Sequence, residues 1–250
     1  MIPYHGLPIT PATVAVVAVS GGHAFVCWVH AEQLNVALEV CQSFAVDNGA
    51  FIAWRKGDPI TDWAGYYAWV RDLCRCPSFD FAVIPDVIDG DEAANDALID
   101  EWIAKGFQLH IGAPVWHMHE SLDRLRRLAS KFPRICIGSS GEYATVGSPS
   151  WFIRMAEAMD VLCDEEGRPL CKIHGLRMLD PRIFTLFPFA SADSTNIGRN
   201  VGIDKKWHGT YPPPTKEAKA LVIRQRVEVN QSPMTWKRPP IQIGLDLFAA

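Results

Sequence analysis

The chain has 250 residues, of which 48% are hydrophobic and 21% charged, with a formal net charge of −4. This is enough apolar material for one large core, so we expect a single domain over residues 1–250 rather than two small ones. The longest early apolar run, residues 12–19, lacks a basic leader and is far too short to cross a bilayer. We therefore expect a soluble, cytoplasmic protein without a signal peptide, a transmembrane helix or a membrane partner.

Short apolar runs alternate with helical patterns along the chain. Strands are predicted at residues 13–19, 43–47, 80–86, 108–115, 134–138, 171–175 and 187–193, and the clearest helices at 91–105, 119–131, 151–163 and 215–228. Near-continuous apolar strands separated by helices predict a parallel sheet covered on both faces, and seven or eight such units suit a (β/α)₈ TIM barrel. The eighth strand is expected either near residues 201–210 or in the N-terminal segment. The rival is a doubly wound open sheet, but the chain has no G-x-G-x-x-G turn after a strand and no Walker A lysine.

The cysteines and the charge distribution limit the cofactors and suggest a partner. Seven scattered cysteines are typical of a reducing compartment; Cys74 with Cys76, or Cys171 with His174, would supply only half of a zinc site. Residues 1–193 carry 15 Lys and Arg against 24 Asp and Glu, whereas residues 194–250 carry 9 against 4. The basic C-terminal segment, 199–250, also contains aromatic residues. This mixture suits phosphate contacts with base stacking, or else a solvated helix and coil under the barrel.

Polar residues follow the predicted strands at the ends where a parallel barrel places its active site. They are Asp47, Asp86, His117, the loop 138–142, His174 and Asp193. A carboxylate directly after an apolar strand costs desolvation free energy unless it is paired or hydrated. One such acid is most simply a helix N-cap or turn residue, but several at one barrel mouth indicate acid–base or nucleophilic chemistry.

Four short motifs in this region resemble those of the tRNA-guanine transglycosylase superfamily, and they occur in the same order. VDNGAF (46–51) is similar to the element with the acid–base aspartate, and IPDV (84–87) to the one with the base-reading aspartate. IGSSGE (137–142) looks like the base-binding loop, and FASADSTN (189–196) like the nucleophile strand. The resemblance covers roughly residues 43–200 and implies a (β/α)₈ barrel.

The chain departs from the tRNA enzymes in its C-terminal part. Those enzymes bind a structural zinc through a cysteine cluster and a histidine after the nucleophile strand, whereas the 57 residues after Asp193 contain no cysteine. We therefore expect neither the zinc subdomain nor an RNA-binding domain. The chain is most similar to the DNA-directed branch of phages and bacterial modification islands, which replaces guanine in DNA with a 7-deazaguanine such as preQ0. This implies no cofactor, DNA and a free 7-deazaguanine base as partners, and a homodimer as one possibility.

The resemblance also implies a role for individual residues. Asp193 would be the nucleophile and Asp47 the general acid and base, while Asp86 would read the guanine edge. The other base-binding candidates are Phe51, His117, Gly138, Ser139, Ser140, Gly141, Glu142, His174 and Gly175; for His174 a buried structural role is the alternative. The candidates for the nucleic-acid backbone are Ser194, Thr195, Asn196, Arg199, Asn200, Lys205 and Lys206.

Other functions stay open at this point. His117-Met118-His119 is an H-x-H pattern, so a metal-dependent barrel hydrolase using His117 and His119 is an alternative, although the pattern lies on a middle strand. The same base exchange on tRNA and a non-catalytic barrel subunit are the others. Trp54, Trp63 and Trp116 lie near predicted strand ends and are expected to stack on an extruded base.

Overall fold

The structure, a computed structural model, describes residues 1–203 and 212–238. The strands are β1 (Ile2–Leu7), β2 (His23–Cys27), β3 (Ser43–Asp47), β4 (Phe79–Val83), β5 (Gly112–Ala113), β6 (Val115–His117), β7 (Arg134–Gly138), β8 (Lys172–Gly175) and β9 (Ser191–Ser194). The helices are α1 (Ala12–Val19), α2 (Leu34–Val40), α3 (Ala50–Arg55), α4 (Ala64–Leu73), α5 (Glu92–Ala104), α6 (Leu122–Lys131), α7 (Pro149–Leu162), α8 (Pro181–Phe184), α9 (Asn196–Asn200) and α10 (Lys216–Glu228).

The strands form a parallel sheet in the order β5-β4-β3-β2-β1-β9-β8-β7-β6. Its two ends, β5 and β6, are consecutive pieces of one segment that is interrupted only at Pro114, which has no N–H to donate to a neighbouring strand. The Pro114 carbonyl still accepts the Cys136 N–H at 2.8 Å. The sheet is therefore a nearly closed barrel alternating with helices, and the predicted TIM-barrel fold is confirmed.

The N-terminal part differs from the prediction at residues 12–19 and at β2, which none of the predicted strands covers. Residues 12–19 form a helix, α1, instead of a strand; the helix packs against α10 and buries Val14, Ala15, Ala18 and Val19. A short run that is apolar on all sides does not distinguish a buried helix from a buried strand. The N-terminal segment does supply a strand that the apolar runs did not identify: β1 pairs with β2 on one side and with β9 on the other.

The predicted long helices are confirmed, and most begin at a polar N-cap. The side chains of Asp91, Ser121, Ser148 and Thr215 each accept a backbone N–H of the first helical turn. Such a cap satisfies a donor that the helix itself leaves unpaired. These caps fix where each helix leaves the loop after a strand, and thus the loops at the rim of the barrel.

Aromatic residues fill the barrel interior. Tyr4, Phe25 and Phe81 point inward and contact one another. Below them, Asp80 accepts the Tyr4 hydroxyl proton at 2.5 Å and pairs with the buried Arg134 at 3.0 Å. The interior is thus packed solid under the carboxyl ends of the strands, which leaves chemistry to the rim.

A buried ion pair fixes the rim near β6. Arg124, which has no exposed surface, donates to Glu120 Oε2 at 2.6 Å and to the Val115 carbonyl at 2.9 Å. Glu120 in turn accepts the His117 N–H at 2.8 Å and the Asn95 side-chain amide at 3.0 Å. This network holds the backbone that carries His117.

Replacing Arg124 with methionine is expected to lower the free energy of unfolding by about 3–5 kcal/mol, because the variant leaves the Glu120 carboxylate buried and without its counter-charge. The matched control is Arg126→Met on the same helix, whose ion pair with Asp123 is exposed; its effect should stay within about 0.5 kcal/mol. Urea unfolding followed by tryptophan fluorescence measures both. Equal losses in the two variants would contradict the role given to the buried pair.

Candidate active site

Three carboxylates predicted from the strand ends meet at one rim of the barrel. Asp47 ends β3, Asp86 follows β4, and Asp193 lies in β9. Burial, followed by the negative charges of Asp193 and Asp86, raises the pKa of Asp47 to about 6. The strands that position these acids are parallel members of one barrel, so their carboxyl ends lie at the same rim. The fold therefore gathers acids that are up to 146 residues apart in the chain.

Asp193 is held by the backbone of the loop after β8. Its Oδ1 accepts the Arg177 N–H at 2.8 Å, and its backbone carbonyl accepts the Leu179 N–H at 3.1 Å. Arg177 has a φ of 60°, a left-handed conformation that non-glycine residues seldom adopt. This conformation is part of the turn that presents the backbone amide to the Asp193 carboxylate.

His174 lies beneath Asp193 and is fully buried. Its Nδ1 is 2.8 Å from Ser191 Oγ, and its Nε2 is 3.4 Å from Asp193 Oδ1, too long for a strong hydrogen bond. Burial lowers the pKa of His174, with the Asp193 charge opposing this effect. Because its ring packs against Phe25 and Phe81 in the interior, His174 supports Asp193 from below and does not offer a face for stacking on a base.

Asp86 has neighbours on both oxygens. Its Oδ1 accepts the Asn48 side-chain amide at 2.7 Å, and its Oδ2 is 2.9 Å from His117 Nε2, close enough for an ion pair but not aligned as a hydrogen bond. Each oxygen keeps a further lone pair, so the carboxylate retains capacity to accept from a base. Asp86 is only 8% exposed, so only a small part of the carboxylate is accessible.

The Asn48-Gly49 turn connects the end of β3 to the end of β4 through the side chain of Asn48. Asn48 also donates to the Ile84 carbonyl at 2.9 Å and accepts the Ala50 N–H at 2.8 Å, so it ties the ends of β3 and β4 together. Gly49 has a φ of 83°, and a Cβ there would come within 2.8 Å of Val29. The turn therefore requires glycine and fixes Asp47 relative to Asp86.

The Cys27 thiol and a tyrosine lie beside Asp47. Cys27 interacts with the Asp47 carboxylate, and burial together with that charge raises the pKa of the thiol. The Tyr66 hydroxyl donates to the Val83 carbonyl at 2.7 Å, and burial followed by the Asp47 charge raises its pKa as well. The Cys27 hydrogen bond and the Arg177 charge lower the pKa of Asp47, but burial and the charges of Asp193 and Asp86 outweigh them.

Asp47→Asn is expected to stabilise the protein at neutral pH. The folded chain holds the Asp47 proton up to about pH 6, against an ordinary value of 3.8, so wild-type stability falls as pH rises from about 4 through 6. At pH 7 the variant should gain about 1–3 kcal/mol, the upper figure being the full shift and the lower allowing for solvent screening. At pH 4 the gain should vanish.

Urea unfolding at both pH values measures this gain, with Asp58→Asn at an exposed aspartate as the control. If the Asp47 variant were less stable than the wild type at pH 7, the raised pKa of Asp47 would be contradicted.

Arg177 contacts both Asp193 and Phe51, and sequence reasoning missed it. Its guanidinium carbon lies 3.5 Å from the ring centroid of Phe51, while its amide holds Asp193. Trp54 and Arg55 flank the same ring at 5.7 and 5.8 Å. Phe51 therefore has an arginine over its face, and its assignment as a base-binding residue stays a prediction. Nothing in the sequence distinguishes Arg177, because its position depends on the tertiary turn.

The glycine-containing loop 138–142 is only partly directed toward the site. Gly138 is buried, and a Cβ there would lie 3.4 Å from His117 Nδ1. Ser139 Oγ accepts the Trp151 indole N–H at 2.9 Å, and Ser140 Oγ lies 2.7 Å from His119 Nδ1. Both hydroxyls thus hold the loop in place. Of the other loop residues, Gly141 has a φ of 57° and Glu142 is exposed beside Tyr143. Gly175, a base-binding candidate at the end of β8, packs closely against Met178.

Two of the three tryptophans expected to stack on a base belong to the core. Trp116 is fully buried and donates its indole N–H to the Ser121 carbonyl, and Trp63 is 4% exposed. Strand residues alternate in direction, so Trp116 points outward to the helices while its neighbours Val115 and His117 face inward. The expectation is wrong for these two residues. Trp54 is 39% exposed and contacts Phe51, so it remains a candidate.

The H-x-H pattern does not form a metal site with other residues in the described ranges. Within residues 1–203 and 212–238, no group of three or more His, Cys, Asp or Glu side chains is arranged to hold a metal ion. The two rings lie parallel, 5.7 Å apart, but His117 faces Asp86 whereas His119 contacts Ser140. The hydrolase alternative therefore lacks a ligand set in this part of the chain.

The residues predicted to contact a nucleic-acid backbone follow Asp193 directly. Ser194, Thr195, Asn196, Arg199 and Asn200 all line a cavity of about 500 Å³, which Arg177 also lines. Asn200 is mostly buried and donates to the Asn196 carbonyl, so it mainly holds α9 together. Lys205 and Lys206 lie outside the described residues.

No family model matches the chain, and no curated protein matches it significantly. No helix among the described residues is long and apolar enough to cross a membrane. The resemblance to the transglycosylases thus stays a prediction, and the function rests on the site.

Proposed function

We propose that this protein is a base-exchange glycosyltransferase that replaces guanine in DNA with a 7-deazaguanine of the preQ0 type. The observation that supports this most is a pair of carboxyl groups at one rim with opposed environments. Asp193 accepts a backbone N–H from Arg177 at 2.8 Å, whereas burial and the neighbouring acids raise the pKa of Asp47 to about 6. An ionised nucleophile beside a protonated acid is the arrangement that double displacement at an anomeric carbon requires.

In the first step, the Asp193 carboxylate attacks C1′ of a target deoxyguanosine. The C1′–N9 bond breaks, its electron pair goes to guanine, and Asp47 gives the leaving base its proton. The product is a glycosyl ester on Asp193. In the second step, N9 of the 7-deazaguanine attacks C1′, Asp47 takes the N9 proton, and the ester bond breaks to regenerate the Asp193 carboxylate. Two inversions at C1′ restore the original configuration.

Asp86 and Phe51 are the base-binding residues of this proposal. The remaining lone pairs of Asp86 accept from the N1–H and the exocyclic amine that guanine and a 7-deazaguanine share, which distinguishes them from adenine. Asn48 and His117 orient the carboxylate for this contact. Phe51, with Arg177 over its ring, supplies a flat wall for a planar base.

The direct test incubates the purified full chain with radiolabelled guanine and either a duplex DNA or a tRNA transcript. Label should enter DNA, and unlabelled preQ0 should then release it. Incorporation into tRNA alone would replace the DNA proposal with exchange on RNA. If a correctly folded preparation of the protein incorporates guanine into neither DNA nor tRNA, the exchange activity is refuted and a non-catalytic barrel subunit is favoured. Mass spectrometry of nucleosides from a preQ0-producing host identifies the inserted base.

A further inference from the structure

A second binding region adjoins the carboxylates. The cavity of about 500 Å³ lies between the loop after β8, the segment that follows Asp193, and α10. Its volume is within the range of sites that hold a small organic ligand. Arg177 belongs both to this cavity and to the carboxylate site, because its amide holds Asp193. A ligand in the cavity would therefore lie next to the reacting nucleoside.

The cavity lining contains three cationic side chains. They are Arg177 in the loop after β8, Arg199 on α9 and Arg226 on α10. The acid among the lining residues, Asp180, accepts three hydrogen bonds from the backbone and guanidinium of Arg182, which offset its charge. The cavity thus has a net positive charge, which suits an anion, and arginine forks match the geometry of phosphate oxygens.

The cavity lining also contains apolar side chains. They are Leu179 and Pro181, before and in α8, and Ile223 and Val227 on α10. A cluster of arginines for a free inorganic anion has no need of these apolar residues. Arginines together with apolar side chains at this volume fit a molecule with a phosphate at one end and a flat, weakly polar ring at the other.

We propose that this cavity binds the nucleotide that flanks the exchanged one. Its phosphate would contact Arg199 and Arg177, and its base or sugar would pack on Ile223 and Val227. The assignment as a flanking position rests on the proposed function, since it is the DNA strand that joins the two sites. The pocket would hold the DNA strand in register while the target nucleoside reaches Asp193. The proposal also gives a binding function to α10, which lies outside the region, roughly residues 43–200, that resembles the transglycosylases.

The test measures binding of thymidine 5′-monophosphate and of thymidine by calorimetry at low ionic strength. Neither probe contains guanine, so the result does not depend on the exchange reaction. The monophosphate should bind at least about tenfold more tightly than thymidine, and Arg199→Ala should remove most of this difference, because it deletes a charge-assisted contact. Arg126→Ala, an equal change of charge at an exposed site on α6, should have no effect. Inorganic phosphate should compete with the monophosphate.

Equal affinities for the two probes, or an Arg199→Ala variant that binds the monophosphate as the wild type does, would overturn the proposal. Because Arg199 is exposed, the variant should fold normally, which its urea unfolding curve verifies. Nucleotide binding without guanine exchange would refute the proposed function alone. Guanine exchange without a phosphate-dependent affinity would refute the flanking-nucleotide pocket alone.

Discussion

Asp193→Asn should abolish guanine exchange, lowering the rate by at least about 10⁴-fold, because the amide oxygen is too weak a nucleophile to form the glycosyl ester. The substitution keeps the shape of the side chain and an oxygen that can accept the Arg177 N–H, so folding and DNA binding should persist. Exchange of radiolabelled guanine into duplex DNA measures the rate. Asp58→Asn, at an exposed aspartate, should exchange at the wild-type rate.

The covalent intermediate provides a second measurement of the same prediction. Wild-type protein that is denatured while turning over on a DNA oligonucleotide should carry the strand from which guanine has left, linked to Asp193. Asp193→Asn should carry none. Peptide mass spectrometry locates the adduct, so a linkage on Asp47 or Asp86 would show that the nucleophile had been misassigned. Undiminished exchange by the variant would refute the mechanism.

Much of the site was predictable because it depends on two regular features of the fold. Apolar runs of strand length separated by helices predict parallel strands, and in a barrel the carboxyl ends of parallel strands meet at one rim. That reasoning is sufficient to bring Asp47, Asp86 and Asp193 together. It requires no knowledge of side-chain packing, because the topology alone sets which ends of the strands are adjacent.

The errors and omissions come from features that depend on tertiary structure. Arg177 contacts Asp193 and Phe51 through a left-handed backbone conformation that no local pattern of residues specifies. The run of α1 is apolar on its exposed side as well as its buried side, so its sequence carries no period that distinguishes helix from strand. The inward-outward alternation of β6 would have placed Trp116 in the core had it been applied to residues 115–117.

Asp47→Asn should slow guanine release by about 10²–10⁴-fold and remove its dependence on pH near 6, because the variant has no proton to give the leaving base. In the wild type, release in a single turnover should fall as pH rises through about 6, where free Asp47 loses its proton. Rapid-quench measurements of free guanine between pH 5 and 8 test both statements. Asp58→Asn should reproduce the wild-type profile, whereas a flat wild-type profile would remove Asp47 from the step.

The charge on Asp193 should control this proton, and a second variant isolates the effect. Burial and the charges of Asp193 and Asp86 together keep the proton on Asp47 in the free protein. When Asp193 becomes an ester its charge disappears, so the pKa of Asp47 falls in the step in which its proton must leave. Asp193→Asn mimics that loss of charge without catalysis. The unfolding free energy of this variant should therefore decline with rising pH at a value below 6. A decline at the wild-type pH would show that burial and Asp86 hold the Asp47 proton without Asp193.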